Sequence, residues 1–277
     1  MFYIISTVTE ISPSREKLVK ACLSRNLKYV ICNPNSFDPT KHDFSRKDSF
    51  YRIADSLRAR QLDIYLTKMN CRSVKMAGSQ LDFTMLDTMD RDSLCMAQGI
   101  ECIPTVYFPV LEPNVLSEQV EGLDGFPIII KEMGSLGGKG IMKVDSMSSL
   151  LSILRTVISN ATGDVVLRKY IEHDEQARII VLNGEVVGEK GNVKTGHDVV
   201  LNAGTHFVQE KREYSEAIKE MAIQAAKAVR LSFAGVDILV GNDGTNYLAE
   251  VNMRPAFSYV EDITGVDIAG QIVEFLN

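Results

Sequence analysis

The segment that most constrains the fold lies near the C-terminus and reads AGVDILVGNDGTNYLAEVNMRP. Two apolar runs flank the tetrapeptide GNDG, whose residue types favour a tight turn. The segment therefore predicts an antiparallel β-hairpin with strands at 234–240 and 246–252.

Charged residues inside this hairpin predict a metal site. Asp237 lies within an apolar run, and Glu250 and Asn252 lie two residues apart on the partner strand, so they share one face. With the turn centred on the Asn-Asp pair, Asp237 is expected opposite Leu248, with Glu250 as its diagonal neighbour at roughly 7–8 Å. Two solvated charges at a sheet edge are the alternative. Burying a carboxylate without a partner is costly, which favours ligands for a hard cation such as Mg²⁺.

A glycine-rich loop follows the strand-like run PIIIK, and residues 131–144 read KEMGSLGGKGIMKV. The loop departs from the Walker A pattern because Gly140 follows the GK pair, and it lacks the last glycine of the Rossmann pattern. Its glycines would let backbone N–H groups approach a phosphate closely. A simple hairpin turn is the alternative.

The remaining pattern is typical of an α/β chain with two domains, or three small ones. The first half predicts a strand at 3–6, a helix capped by Ser12-Pro13, a strand at 29–32, a helical segment at 50–68 and a helix at 90–98 closed by Gly99. The second half predicts strands at 128–133, 140–144 and 164–168, a helix after Ser146, a hairpin of 177–182 and 185–189 through Asn183-Gly184, and a helix at 215–231.

Composition excludes several classes of protein. The net charge of −6 argues against general nucleic-acid binding, and no apolar run approaches the ~20 residues of a membrane span. The N-terminus reads as a first strand and lacks the basic region of a signal peptide. Five cysteines without a C-x-x-C pair indicate reduced core thiols, and four histidines show no zinc-ligand spacing. We therefore expect a cytoplasmic protein.

The hairpin together with DITGVDIAGQIVEFLN resembles the C-terminal signature of the ATP-grasp ligases, in particular the RimK-like, glutamate ligase-like subgroup. The resemblance begins near QGIECIPTV and covers about two thirds of the chain. It implies an ATP-grasp fold of α/β class whose two α+β subdomains clamp ATP. The expected units are an N-terminal α/β domain (1–88), a central lid subdomain (89–170) and a C-terminal subdomain with the Mg²⁺ site (171–277).

The resemblance also implies roles for individual residues. Asp237, Glu250 and Asn252 would bind two Mg²⁺ ions, for which Mn²⁺ is an alternative, and Arg178 and Asn252 would act in catalysis. Lys131 would reach a phosphate or the adenine edge. The other residues implied in nucleotide binding are Ser135, Gly137, Gly138, Gly140, Arg168, Lys169, Tyr170, Ile171, Asp174, Glu175 and Asn202. Lys190 and Lys194 stand where the family has basic residues near the phosphates.

The chain departs from the family pattern at three places. The family's Asp-Lys pair before QGI falls on Asp87-Thr88, so the first ATP-contacting lysine is absent, and Lys75 or Arg91 is a candidate replacement. Lys169 stands where the family has an acidic residue. Gln176 replaces the aspartate two residues before the family arginine, so Asp174 and Glu175 are the candidates for ribose contacts.

The resulting interpretation is an ATP- and Mg²⁺-dependent carboxylate–amine ligase that works through an acyl-phosphate and releases ADP and phosphate. The expected partners are ATP and an amino acid, a peptide or a protein end, chosen by the N-terminal region and the loop 195–213, with no membrane or general nucleic-acid partner. A phosphotransferase and a non-catalytic nucleotide-binding protein are the alternatives. A homodimer or homotetramer is left open.

Overall fold

A computed structural model describes residues 1–7, 12–75, 88–133, 140–159, 165–194 and 207–277. Within these ranges the chain forms three β-sheets, each with its own helices. The predicted α/β fold class is confirmed. No helix among the described residues is long and apolar enough to cross a bilayer.

The N-terminal sheet is parallel and has the strand order β2-β1-β3. Its elements are β1 (Phe2–Ile5), α1 (Pro13–Ser24), β2 (Tyr29–Cys32), β3 (Ser49–Arg52) and α2 (Leu57–Lys68). The predicted cap of α1 is confirmed, because Ser12 Oγ accepts a hydrogen bond from the Arg15 amide at 3.4 Å.

The predicted helical segment 50–68 is wrong in its first part. Residues 49–52 form β3, and the helix begins only after Ser56, whose hydroxyl accepts from the Ala59 amide at 3.3 Å. Pairing with β1 on the sheet decides the conformation of SFYR, and local helical composition does not.

The central sheet is antiparallel, with the order β4-β7-β5-β6. The elements of this part of the chain are α3 (Thr88–Met96), β4 (Thr105–Val106), α4 (Pro113–Glu121), β5 (Ile128–Glu132), β6 (Ile141–Val144), α5 (Met147–Ser159) and β7 (Val165–Lys169), and its four strands form the sheet. Helices α4 and α5 bury Leu116, Leu150 and Leu154 against the apolar face of this sheet. The strands on either side of the glycine-rich loop are thus β5 and β6, as predicted.

The C-terminal sheet is antiparallel, with the order β10-β9-β8-β11-β12. The elements of this unit are β8 (His173–Leu182), β9 (Glu185–Lys194), β10 (Phe207–Lys211), α6 (Glu216–Ala228), β11 (Phe233–Gly241), β12 (Asn246–Asn252), α7 (Phe257–Thr264) and α8 (Ile268–Leu276). Both predicted hairpins are confirmed. The expectation of a loop throughout 195–213 is wrong at 207–211, because β10 pairs with β9 there.

The two faces of the C-terminal sheet pack differently. One face, with Ile179, Val181 and Val236, is covered by α6 and by Cys95 of α3. At one end of the other face, Ile180 and Phe233 pack against α7, α8 and α1. The other end of that second face is turned toward the central sheet, where Lys131 of β5 lies 3.9 Å from Glu250 of β12. Since α3 contributes to the core of the C-terminal unit, we propose that the lid subdomain begins near residue 104 and not at 89.

A β-bulge changes the predicted register of the last hairpin. Asp237 pairs directly with Glu250, whereas the next pair is Ile238 with Leu248, so Ala249 is an extra residue on β12. The expectation that Asp237 faces Leu248 is therefore wrong, because counting from the turn assumes a regular ladder. The two carboxylates are direct cross-strand neighbours and not diagonal ones.

The five cysteines are all buried and free. Burial raises the pKa of the Cys22 thiol to about 11, so this thiol stays protonated at neutral pH. The prediction that the cysteines are core residues is confirmed, and their reduced state stays a prediction.

Candidate active site

Four charged side chains lie side by side across the C-terminal sheet. Lys190 on β9 pairs with Arg178 on β8, Arg178 pairs with Asp237 on β11, and Asp237 pairs with Glu250 on β12. Directly paired residues point to the same face of a sheet, and neighbouring strands lie about 4.8 Å apart. We call these four residues the charged row: two cations stand at one end and two carboxylates at the other.

Asp237 is buried and fully engaged within the charged row. Arg178 donates to both of its carboxylate oxygens, from Nε and, at 2.7 Å, from Nη2, and Asn252 Nδ2 donates at 3.1 Å. Burial raises the pKa of Asp237, and the charge of Glu250 adds to that effect while Arg178 opposes it. Gly235 makes room for this arrangement, because a Cβ there would lie 2.5 Å from Pro255 Cβ.

Glu250 joins the charged row to the central sheet. Its carboxylate lies 3.9 Å from the Lys131 ammonium on β5. Burial would raise the pKa of Glu250, but the positive charges of Lys131, Arg91 and Arg178 outweigh burial and hold the pKa below its ordinary value. Glu250 is therefore ionised at neutral pH and able to act as an anionic ligand.

These residues fit a magnesium site of the kind completed by a substrate. The described residues contain no group of three or more His, Cys, Asp or Glu side chains that could hold a metal alone. Mg²⁺ in nucleotide sites takes only one or two carboxylates, and phosphates and waters supply the other ligands. Asp237 and Glu250 with the Asn252 amide meet that requirement.

A cavity of about 150 Å³ opens beside the carboxylate end of the charged row, between the central and C-terminal sheets. Lys131, Asp237 and Glu250 lie at its charged end. Its apolar wall consists of Ile103, Ile129, Ile141, Ile171, Leu239 and Ala249. Apolar walls with a few convergent charged groups are typical of a small-molecule site, and here the slot leads toward the carboxylates.

The segment 168–171 lines this cavity where the chain passes from one sheet to the next. Arg168 is buried: its Nη2 donates to Asp92 at 2.6 Å and its Nη1 to the Ala249 carbonyl at 2.9 Å. Lys169 forms an ion pair with Asp124 at 2.6 Å. Arg168 thus holds the bulge of β12 against the central sheet, and the side chain of Lys169 is committed to its own ion pair.

Tyr170 and Ile171 complete the passage between the sheets. The Lys143 ammonium of β6 lies 4.2 Å from the centroid of the Tyr170 ring, within the range of a cation–π contact. Ile171 is buried, and its carbonyl lies 2.7 Å from Nδ1 of His173, which also lines the cavity.

The acidic candidates for ribose contacts occupy different places. Glu175 accepts from Tyr214 Oη at 2.6 Å, on the face opposite to Arg178, so the structure does not bring it to the cavity. Asp174 is exposed, and its carboxylate lies 3.5 Å from Asn242 Nδ2. Gln176 does line the cavity, because strand alternation places it on the face of Arg178.

Four of the predicted binding residues, Ser135, Gly137, Gly138 and Asn202, lie outside the described residues. Gly140, where the glycine-rich loop rejoins the sheet, has φ of +73°, and its carbonyl accepts from the Glu132 amide at 2.8 Å. A Cβ at this position would lie 2.8 Å from Glu132 Cβ, so glycine is required at this end of the loop.

The two candidate replacements for the absent family lysine are far from equivalent. Lys75 lies 2.5 Å from Asp63 and lines a different, much smaller cavity in the N-terminal region. The charge of Arg91 acts on both Lys131 and Glu250. Only Arg91, of these two, lies in the electrostatic neighbourhood of the cavity.

Several residues of the site carry no sequence signal that local patterns reveal. Asp92 is buried, and besides Arg168 it accepts from Tyr107 Oη at 3.0 Å. Phe207 lines the cavity from β10. These contacts join positions up to 76 residues apart, which only the folded chain brings together.

Comparison with known proteins agrees with this geometry. Residues 97–276 match the RimK-like ATP-grasp domain family. A probable alpha-L-glutamate ligase of Coxiella burnetii is 26% identical over 288 aligned positions, covering 99% of this chain and 94% of that protein.

Two solved structures show the same fold. The D-alanine–D-alanine ligase of Bacillus anthracis, complexed with ATP, has a TM-score of 0.75 at 17% identity, with 99% of this chain and 94% of that chain covered. The ATP-grasp ligase PsnB, complexed with a minimal precursor, Mg and ADP, has a TM-score of 0.74 at 15% identity, with 99% and 96% covered. The fold expected from the resemblance is confirmed. The chain belongs to the RimK-like ATP-grasp family, and it is an ATP-dependent ligase that joins a carboxylate to an amine.

Proposed function

We propose that the substrates are an amino acid and either a second amino acid, a peptide or a protein end, joined through an acyl-phosphate with release of ADP and phosphate. The observation that carries the proposal is the direct pairing of Asp237 with Glu250 at the end of an apolar slot between two sheets. The name of the Coxiella burnetii relative supports an amino acid as one partner, and the peptide-bound structures of PsnB support a peptide as the other.

We propose that Asp237, Glu250 and Asn252 hold two Mg²⁺ ions. Bound there, the ions would neutralise the triphosphate and orient the terminal phosphate for in-line transfer. The carboxylates themselves would lie beside that phosphate with little access to water, since Asp237 is buried and Glu250 is partly buried.

Arg178 is the proposed partner of the carboxylate that reacts. In the structure its guanidinium is paired with Asp237, next to the ligands proposed for the metal. This position lets one end of the fork remain with Asp237 while the other binds a carboxylate or a transferring phosphoryl group. Asn252, which donates to the same Asp237 oxygen, fixes the orientation of that carboxylate.

The adenine is proposed to lie in the apolar slot between Ile129 and Leu239, beside the backbone of 169–171. Lys131 would then bind a phosphate at the charged end, where burial lowers the pKa of its ammonium and Glu250 counteracts that effect. The glycine-rich loop 134–140 is proposed to cover the phosphates with backbone N–H groups. Arg91 is proposed to supply the charge that the family lysine would otherwise provide.

The five buried thiols favour a reducing compartment, and we propose the cytoplasm as the site of the reaction. The experiment that tests the function is a screen for ADP release with Mg²⁺ across free amino acids and short peptides, followed by mass spectrometry of the products. An amide product with stoichiometric ADP supports the ligase. A phosphorylated product without an amide would identify a phosphotransferase. No thermal stabilisation by millimolar Mg-ATP would contradict nucleotide binding altogether.

A further inference from the structure

Lys190 differs from the other buried charges of the described chain. The buried Asp, Glu, Lys and Arg side chains are Arg52, Asp63, Asp92, Arg168, Lys190 and Asp237. Five of them have an ion-pair partner: Arg52 with Asp63 at 2.7 Å, Arg168 with Asp92 at 2.6 Å, and Asp237 with Arg178. Among the described residues, Lys190 has only a neutral partner, the Asn192 amide oxygen at 3.2 Å.

The position of Lys190 in the charged row makes this isolation costly. Lys190 is 7% exposed, and its direct neighbours on β8 and β10 are both cations, Arg178 and Lys211. Burial and, next, the charge of Arg178 lower the pKa of Lys190 to about 8. A buried cation beside a second cation is unfavourable unless an anion joins them.

The nearby carboxylates that the structure describes do not supply that anion. Glu189 accepts from the Tyr214 amide at 3.0 Å, and Glu175 accepts from the Tyr214 hydroxyl, both on the other face of the sheet. Asp237 gives both of its oxygens to Arg178. Within the described part of the chain Lys190 thus has no counter-ion, and a ligand that enters on the face of the charged row would supply one.

The distance between Arg178 and Lys190 in the charged row indicates which ligand fits. Arg178, on the proposed function, lies at the carbonyl carbon that the amine attacks, and Lys190 lies one strand, about 4.8 Å, farther from the metal ligands. In a free α-amino acid the carboxylate is two bonds from the amine nitrogen, so an amine placed at Arg178 brings its carboxylate within reach of Lys190. A peptide N-terminus or a simple amine has no carboxylate at that place.

We propose that Lys190 binds the carboxylate of the amine-bearing substrate and thereby selects a free α-amino acid as the acceptor. This inference rests on the proposed ligase function. Lys190 is a specificity-determining residue: it touches a group of the substrate that does not react.

The test compares Lys190→Met and Lys190→Arg with a matched control, Lys211→Met. Lys211 is the neighbour of Lys190 on β10 but is exposed. Each protein is assayed for ADP release with the active amino acid and with its α-carboxamide, which keeps the amine and loses the negative charge. We expect wild type to prefer the amino acid, and Lys190→Met to lose about 10- to 100-fold in kcat/KM for the amino acid only. Lys190→Arg should recover part of that loss, and Lys211→Met should stay within about twofold of wild type.

A second measurement works without turnover. Calorimetry with each free amino acid and its amide, in the presence of Mg²⁺ and a non-hydrolysable ATP analogue, reports the same preference as binding. Equal use of amino acid and amide by wild type, an unchanged preference in Lys190→Met, or no binding of any amino acid would overturn the inference. Loss of Mg-ATP stabilisation in Lys190→Met would also overturn it, since Lys190 would then belong to the nucleotide site. Failure of wild type to release ADP or to bind Mg-ATP would instead refute the proposed function.

Discussion

Two clusters of buried and partly buried charge in this protein look alike in composition and differ in how their charges are paired. The N-terminal cluster consists of Arg52, Asp55, Asp63, Lys75 and Arg254, and each of its cations lies within 3.2 Å of a carboxylate. In the charged row, Lys190 has no carboxylate partner among the described residues, and Glu250 has a cation only at 3.9 Å.

The volume of the cavity beside each cluster differs as well. The cavity at the N-terminal cluster measures about 20 Å³, too little for more than a water molecule, whereas the slot at the charged row measures about 150 Å³. Buried ion pairs therefore do not identify an active site by themselves. In this protein the candidate site is marked by a carboxylate without a close partner, Glu250, that also lines open volume. The N-terminal cluster instead joins the N-terminal sheet to the segment after β12, since Arg254 Nη1 donates to the Ile53 carbonyl at 3.0 Å.

The largest expected difference between the clusters is in activity. Glu250→Gln should lower the rate of ADP release by a factor of about 1000 or more, because one negative charge that holds the metal ions is lost in a site shielded from water. The melting temperature without metal should not fall, since Asp237 loses a like-charged neighbour. Glu185→Gln, an exposed change in the same sheet, serves as the control. Full activity of Glu250→Gln would mean that the pair of carboxylates is only a structural feature.

The N-terminal cluster should respond in stability instead. Asp63→Asn leaves Arg52 and Lys75 without their shared carboxylate, so we expect a loss of about 3 kcal/mol, or roughly 6–12 °C in melting temperature. The remaining folded protein should keep its KM for ATP. Thermal unfolding of Asp63→Asn is compared with that of a control, Asp43→Asn, which changes an exposed aspartate of the same region. A normal melting temperature with lost ATP binding would show that this cluster belongs to the site.

Mg-ATP should stabilise the folded protein by mass action, and the two clusters should differ in how a substitution affects that stabilisation. At about 100 times Kd it should stabilise wild type by about 2.7 kcal/mol, and the shift should persist in Asp63→Asn and shrink in Glu250→Gln. Differential scanning fluorimetry with Mg-ATP, and with AMP for comparison, measures both shifts. An equal shift in the two variants would remove the distinction between the clusters.

The expected effect that is smallest per step of the measurement concerns the pH dependence of stability. The pKa of Lys190 is lowered in the folded protein from 10.5 to about 8, so its stabilising contribution is present above pH 10.5 and lost as the pH falls through 8. Lys190→Met should therefore be more stable than wild type at pH 7. That advantage should shrink by about 1.4 kcal/mol for each pH unit above 8. Urea unfolding at pH 7 to 10 tests this, and a constant difference would show that Lys190 is paired in solution.

Much of the last hairpin could be predicted from the sequence because its signals are local. Two apolar runs and the GNDG turn between them define both strands, and a charge inside an apolar run indicates a ligand. The assignment of Glu250 and Asn252 to one face depends only on strand alternation, and their pairing with Asp237 and Gly235 confirms it.

The rest depends on contacts between distant parts of the chain. The third strand of the N-terminal sheet forms where local composition favours a helix, because β1 offers it a hydrogen-bonding edge. The cavity wall that Phe207 completes depends on β10, which pairs with β9. The interest of Lys190 as a candidate binding residue depends on its pairing with Arg178, and no pattern within β9 predicts that neighbour.

The extra residue at Ala249 has a consequence for how related proteins are recognised. Removing it would leave Asp237 opposite Glu250 and Ile238 opposite Leu248, because the bulge already lies between those two pairs. A deletion inside a strand ordinarily turns all following side chains to the other face, and here it would not. Relatives with their two acidic ligands twelve residues apart, where this chain has thirteen, can therefore build the same pair, and a search that fixes the interval would miss them.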